Sequence, residues 1–456
     1  MSSFVSQRPP VSERRFTNVA VESLITEVSG AIADPELAWL FANCLPNTLD
    51  TTIDHRVDAG GCPDTYVITG DIDAMWLRDS AAQVWPYLPL ARTDAPLRSL
   101  IAGVIRRQAD GILLDPYANA FYRDPVLGYW KTDLTLMLPG VHERKWELDS
   151  LAYFLRLSHA YWTTTGDLSP FDDTWRRAVT AVFALLRVEQ SVGDDPSRSP
   201  YSFQRMAGKY LGSHSSKVRT PNCGLIRCSF RPSDDMVKLP FLVPANAMIA
   251  VALRDVSTLL ASLHLDELAT EAHAQSDTIT RALEKHAVVN HPVHGEIWAY
   301  EIDGYGAAYL MDDSNVPSLL SLPYLGFCAP DDARYLRTRA FVLSADNPHY
   351  VTGTAASGIG SPHTGPHTIW PMSLSMQGLT AISDDEILTC LRQLKSTHAG
   401  TGFMHESFNA DDPSSFTRPW FAWANTLFGE LLVTLHQQRP HLLRSALTEL
   451  QPALAR

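Results

Sequence analysis

The stretch Thr69-Gly70-Asp71-Ile72-Asp73-Ala74-Met75-Trp76-Leu77-Arg78-Asp79-Ser80 crowds aspartates, an arginine and a tryptophan against the start of an apolar run. Helix entry accounts for part of it: Asp73 suits an N-cap and Asp71 suits the positive helix end. Neither role explains Arg78 and Asp79, which sit at the head of the run. A buried Arg–Asp pair is costly unless both members are satisfied. Asp accepts hydroxyl hydrogen bonds and Arg donates several, so the pair suits a small polyhydroxyl ligand, with Trp76 as a stacking face. A second stretch, Phe230-Arg231-Pro232-Ser233-Asp234-Asp235, sets adjacent carboxyls before another apolar run. Ser233 or Asp234 could cap the following helix. A carboxyl placed against apolar walls or beside another carboxylate keeps its proton, which makes Asp234 or Asp235 a candidate acid. In the third stretch, Gly400-Thr401-Gly402-Phe403-Met404-His405-Glu406-Ser407-Phe408, no helical period accounts for Glu406 as a surface charge. It is the candidate partner carboxylate. Candidate substrate contacts are Asp71, Asp73, Trp76, Arg78, Asp79, His142, Arg231 and His405. Asp312-Asp313-Ser314-Asn315 reads equally well as a cap, and Glu143, Trp146 and Glu147 belong near the same mouth.

The elements that must position these residues are helical. Residues 143–165 carry Trp146, Leu148, Leu151, Phe154, Leu155, Leu157 and Tyr161 at helical spacing, ended by Gly166. Two kinds of helix alternate. Broadly apolar ones fall near 74–90, 144–165, 241–262, 314–327, 367–382 and 418–436; ones with a charged face fall near 34–49, 97–114, 172–190, 266–288, 331–343 and 384–398. A helix apolar all round belongs inside and one with a charged face belongs outside. The pattern predicts an all-α fold, an (α/α)6 barrel with few short strands, the best of them at 65–69 and 295–300. The long joints 50–73, 115–143, 191–240, 289–313, 344–366 and 399–417 all lead from an outer to an inner helix, so they share one rim. Long ordered loops in a compact domain usually carry function. No linker splits the chain, which reads as an N-terminal arm (1–17) and a single catalytic barrel (18–456).

Composition narrows the function. Hydrophobic residues make up 45% of the 456, enough for a large core, and the net charge of -13 disfavours nucleic acid and anionic membrane as partners. The N-terminus lacks a secretory apolar core and the six cysteines are scattered, so a soluble cytoplasmic protein with free thiols is expected. Cys223 and Cys228 lack a second ligand pair, and Pro362, Gly365 and Pro366 break the face that His363 and His367 would share; no metal site is expected. There is no phosphate-binding loop, no dinucleotide turn and no nucleophile elbow, so no cofactor is expected.

The run from Pro63 to Ser80 closely resembles glycoside hydrolase family 125, the metal-independent exo-acting α-1,6-mannosidases. Phe230–Asp235, His405-Glu406-Ser407-Phe408 and the helix from Trp420 to Gly429 are similar to that family too, and the likeness extends from about residue 18 to the C-terminus. Trp-x-Arg-Asp-Ser also occurs in glucoamylases, where the Arg–Asp pair grips the terminal sugar. The resemblance implies an (α/α)6 barrel, hydrolysis with inversion, a general acid at Asp234 or Asp235 with Asp234 preferred, and a general base at Glu406. It implies a small-molecule substrate: an α-mannoside, manno-oligosaccharide or trimmed N-glycan. Subsite shape would be set by loops 191–222 and 344–366. Two other functions fit the same barrel: a sugar epimerase or isomerase using histidine pairs, and a carbohydrate-binding protein without catalysis.

Overall fold

The computed structural model describes residues 4–125, 130–205, 218–444 and 447, together with the backbone of 212–215; the rest of the 191–222 loop and the chain beyond 447 lie outside the described residues. Helices α1 (Val19–Ala31), α2 (Pro35–Cys44), α3 (Asn47–Thr51), α4 (Leu77–Val84), α5 (Ala95–Leu114), α6 (Leu148–Thr165) and α7 (Asp173–Gln190) form the first half. The second holds α8 (Val243–Ser262), α9 (Asp266–His286), α10 (Ala333–Val342), α11 (Pro371–Thr380), α12 (Asp384–Ser396) and α13 (Ala422–Gln438). Neighbouring inner helices α4, α6 and α8 pack side by side, as do α11, α13 and α4, and the outer helices cover them. This is the expected (α/α)6 barrel. One continuous hydrophobic cluster runs from Val21 to Leu447. Helix α8 is apolar enough to span a membrane (mean hydropathy 1.3), but 78% of it is buried as barrel wall.

Local sequence explains where the outer helices start. The carboxylates of Asp34, Asp94, Asp172 and Asp332 accept backbone N–H bonds in the first turns of α2, α5, α7 and α10, and Asn18 does the same for α1. Pro35 and Pro96 sit where a missing N–H costs nothing. Gly166 ends α6 in the left-handed conformation at φ 69°. The inner helices differ. Trp76, Glu147, Leu242, Trp370 and Phe421 precede α4, α6, α8, α11 and α13 in extended conformation, and none caps its helix with a side chain.

Small antiparallel sheets, with strands of at most five residues, tie the long loops to those helix entrances. Met75–Trp76 pairs with Ala120–Phe121, which pairs with Val141–Glu143; Phe241–Leu242 pairs with Glu301–Ile302, which pairs with Ala308–Tyr309; Thr368–Ile369 pairs with Phe408–Asn409. Both expected strands form, as Pro63–Val67 and Gly295–Trp298.

Several expected helices are shorter or missing. The 74–90 helix is α-helical only over Leu77–Val84, because Pro86 and Pro89 turn the rest into 3-10 pieces. Residues 418–421 stay outside the helix, with Pro419 among them. The fourth inner element, 314–327, is buried but forms turns: Pro317 and Pro323 remove two amide donors. Asp312 organises it, its two carboxylate oxygens accepting from the amides of Leu319 (2.8 Å) and Leu320 (2.9 Å). Tyr153 on α6 and Tyr335 on α10 bond its carbonyls at Val316 and Leu320. Helix α1 has no counterpart in the alternating pattern, and the expected 34–49 helix is divided into α2 and α3, with Pro46 immediately before α3. Residues of the 1–17 arm pack on α1 and α3: Arg8 pairs with Glu22 and with Asp50.

Because Asp312 is fully buried, Asp312→Ala strands two amides without acceptors. A destabilisation of about 2–4 kcal/mol is expected, read as a lowered urea midpoint.

Candidate active site

The long loops meet the inner-helix entrances around a cleft of about 430 Å³. Trp76, Arg78 and Asp79 reach it from the entry to α4, Asp234 from the 191–240 loop, and Glu406 from the 399–417 loop. Thr69, Trp370, Phe421 and Trp423 complete its largely aromatic wall, with Asn315, His363 and Arg418 as further polar groups. The uncapped entrance residues Trp76, Trp370 and Phe421 are thus also cleft walls.

Arg78 forms the floor. Its guanidinium is buried and meets Glu147 at 2.6 Å, Asp149 at 3.3 Å, Asp234 at 3.3 Å and Asp79 at 3.6 Å. Trp423 lies 5.8 Å from the guanidinium carbon. Burial alone would favour neutral arginine, but the surrounding carboxylates hold its charge firmly. Burial lifts Asp79 and Asp149 to about 6 against the pull of Arg78.

Asp234 sits in a tight turn in which the Arg231 amide donates to the Asp235 carbonyl and the Asp234 amide to the Arg231 carbonyl. Its φ of 66° is unusual for a residue with a side chain and marks a conformation held by its surroundings. Glu301 does much of the holding: it accepts from Arg231 Nε at 2.6 Å and from the amides of Lys238 and Leu239. The helix after this turn starts only at Val243, so neither Ser233 nor Asp234 caps it. The Asp234 carboxylate lies between Arg78 and Lys145, the latter at 3.6 Å. Burial opposes its ionisation, yet Lys145 and Arg78 prevail and hold it well below the usual carboxylate range, while burial drives neighbouring Glu147 upward. Asp235 points elsewhere, 3.7 Å from His363 Nδ1, and does not line the cleft. Burial would depress His363, but Asp235 raises its pKa on balance.

Glu406 is placed by backbone ties on both sides. The Met404 amide donates to Asn425 on α13, the Phe421 amide to the Met404 carbonyl, and the Ser407 amide to Thr417 Oγ1. Arg418 Nε stands 3.5 Å from Glu406 and 3.4 Å from Asp71. Gly70 lets Trp420 close over this loop: at φ 124° a Cβ would meet the indole at 2.8 Å.

Asp79, Arg78, Trp76, Asp234 and Glu406 therefore share one cleft. Asp71 is exposed at its edge through Arg418, and Asp73 is exposed and does not cap α4, whose entrance residue is Trp76. The remaining candidates stand behind the walls. His142 packs edge-on to Trp76 (5.0 Å) and Tyr122 (4.9 Å). Arg231 is turned to Glu301, and His405 is fully buried, stacked on Phe416 at 3.9 Å with Nδ1 on the Arg418 carbonyl. These three shape the site without lining it. His363 and His367 face different carboxylates, Asp235 and Asp411, so they do not form a metal pair. Among the described residues one group of metal-ligand type exists, His291, His294 and Asp346 beside α10; His291 Nδ1 already accepts two backbone amides and His294 bonds Asp346.

Residue types and spacing do not single out Lys145, Asp149, Trp370 or Trp423, and they place Glu147 only near the mouth. A usable signal exists: Glu143, Arg144, Lys145, Glu147 and Asp149 form a charge-dense run immediately before an apolar helix, as Arg78 and Asp79 do.

The sequence model of the metal-independent alpha-mannosidases (GH125) matches residues 34–433. The Meiotically up-regulated gene 157 protein of Schizosaccharomyces pombe is 45% identical over 96% of this chain and 90% of its own. A Streptococcus pneumoniae structure from the metal-independent alpha mannosidases, in a non-productive substrate complex with alpha-1,6-mannobiose, is 40% identical with a TM-score of 0.88, covering 93% of this chain and 100% of that one. A bacterial glucoamylase complexed with acarbose shares the fold alone, at 13% identity and TM-score 0.55 over 89% of this chain and 57% of that one. With the candidate carboxyls Asp234 and Glu406 lining one cleft and a match of this extent, the chain belongs to glycoside hydrolase family 125, the metal-independent α-mannosidases.

Proposed function

We propose that this α-mannosidase removes single non-reducing terminal α-1,6-linked mannose residues with inversion of the anomeric centre, with Asp234 as general acid and Glu406 as general base. The observation that carries this reading is the presence of both carboxyls on one small cleft whose floor is closed by Arg78 and its carboxylates. A closed floor suits a chain end and excludes a threaded polymer. Asp79 would accept hydroxyl hydrogen bonds from the terminal mannose, and the aromatic wall would stack on its ring. Such remote contacts hold the sugar for reaction at C1.

In an inverting mechanism Asp234 protonates the leaving oxygen while Glu406 takes a proton from a water on the opposite ring face. Inversion calls for carboxyls about 6.5–9.5 Å apart, with room for that water. The complex of the Streptococcus pneumoniae relative with alpha-1,6-mannobiose supports the linkage. A histidine-pair epimerase or isomerase is less well supported, because among the described cleft residues His363 is the one histidine and its partner is Asp235.

Incubation with α-1,6-, α-1,2- and α-1,3-linked mannobiose, followed by NMR, tests the reading. Preferential cleavage of the α-1,6 isomer with β-mannose as first product is expected; α-mannose first would overturn inversion. Glu406→Gln keeps the shape but cannot accept the proton, so kcat on every substrate should fall by at least about 10²-fold.

Asp234→Asn should lower mannobiose hydrolysis at least about 10²-fold while sparing an aryl mannoside whose acidic phenol needs little protonation. The same selective rescue in Asp235→Asn, and not in Asp234→Asn, would exchange their roles. Activity should survive exhaustive EDTA dialysis; loss that a divalent ion restores would contradict the absence of a catalytic metal.

A further inference from the structure

The charges behind the cleft do not balance. Arg78 and Lys145 face five carboxyls: Asp79, Glu143, Glu147, Asp149 and Asp234. Arg205 reaches Glu143 but is also held by Asp133. His363 and His142 are the other titratable groups near Asp234, with Arg418 beyond Asp79. With every carboxyl ionised, a buried region would carry a large uncompensated negative charge, which is prohibitive away from water. Protons must remain in the cluster.

Geometry places one of them. Glu147 and Asp234 lie within hydrogen-bonding contact of each other, and two carboxyls bond only through a proton. Both rest on the same guanidinium, Glu147 on Nη1 at 2.6 Å and Asp234 on Nη2 at 3.3 Å. Glu147 is sealed behind the cleft and Asp234 opens onto it.

We propose that Glu147 and Asp234 share the proton delivered to the leaving group, Glu147 serving as its inner store and Asp234 as the face that donates it. This rests on Asp234 being the acid of the proposed hydrolysis. As the C1–O bond breaks, its electron pair goes to the glycosidic oxygen, which takes the one shared proton from Asp234 once that proton has moved across from Glu147, leaving both carboxyls ionised. The pair ends one proton poorer. The water oxygen bonds to C1, its proton passes to Glu406, and exchange with solvent returns a proton to the pair. Glu147 touches no substrate and is a positioning residue. Ser150 Oγ donates to Glu147 Oε2 at 3.0 Å and Asn119 Nδ2 to Oε1 at 3.3 Å, which stabilises the ionised form and keeps the stored proton releasable.

The test compares pH profiles of kcat/KM for wild type, Glu147→Gln and Ser150→Ala on α-1,6-mannobiose and on 2,4-dinitrophenyl α-mannoside. The amide introduced by Glu147→Gln would keep the bonds to Arg78 and Asp234 but would hold no transferable proton. Mannobiose turnover should fall at least about tenfold, dinitrophenyl mannoside turnover should stay within about threefold, and the alkaline limb for mannobiose should move down by a pH unit or more. Ser150→Ala removes a bond to the ionised form and should move that limb up by about half a unit. Equal losses on both substrates with an unmoved limb would overturn the shared proton, since a merely structural Glu147 predicts that result. If Glu147→Gln fails a thermal-melt check, an unmoved limb in Ser150→Ala overturns it alone. A wild type that hydrolyses neither substrate would instead overturn the α-mannosidase reading on which the proposal rests.

Discussion

Arg78 is buried among four carboxyls drawn from three separate parts of the chain: Asp79 from its own helix, Glu147 and Asp149 from the entry to α6, and Asp234 from the long loop before α8. A guanidinium sealed from water is tolerable only with such partners, and the partners are tolerable only with it. The cluster therefore works as a lock on topology. Any rearrangement that separated α4 from α6, or let the Asp234 turn swing away, would leave a buried charge unpaired at a cost of several kcal/mol. The same lock fixes the cleft floor and one catalytic candidate with respect to the other wall.

The barrel divides its labour between its two rings. Outer helices α2, α5, α7 and α10 begin on side-chain caps that local sequence supplies, and they need nothing from the site. Inner helices begin without side-chain caps, and α4, α8 and α11 follow short strands directly. Their first-turn amides leave the cleft end of the barrel with a positive potential, suited to anionic carboxylates and developing negative charge. The mini-sheets at these entrances then transmit the position of each loop to the helix it precedes. Glu406 is carried in this way beside the strand pair that leads into α11, and by Asn425 on α13.

Chemically similar carboxyls are separated here by environment. Asp234 is drawn toward ionisation by two cations and Glu147 toward protonation by burial. Asp235 faces a histidine, and Glu406 faces Arg418. Different surroundings for like groups are what assign acid and base roles at one pH.

Much of this protein is legible in its sequence. Alternating apolar and charged-face periodicity dictates two rings of helices, because burial of one face is a local property of each segment. Motif composition picks out Arg78, Asp79, Asp234 and Glu406, since an Arg–Asp pair or isolated Glu in an apolar setting conflicts with simple packing. Residues 314–327 escape, because apolar composition does not reveal that Pro317, Pro323 and the Asp312 carboxylate replace helical bonding with turns. His142, Arg231 and His405 read as ligand contacts on proximity in sequence. The direction of a side chain is instead set by its partners: Glu301, 70 residues from Arg231, and Phe416 for His405. Glu147, Lys145 and Asp149 are site residues for the same reason: only folding shows which distant charges share a dielectric cavity. Sequence determined which residues must be buried and which conflict with burial; tertiary structure alone decided which of the conflicting charges resolve one another.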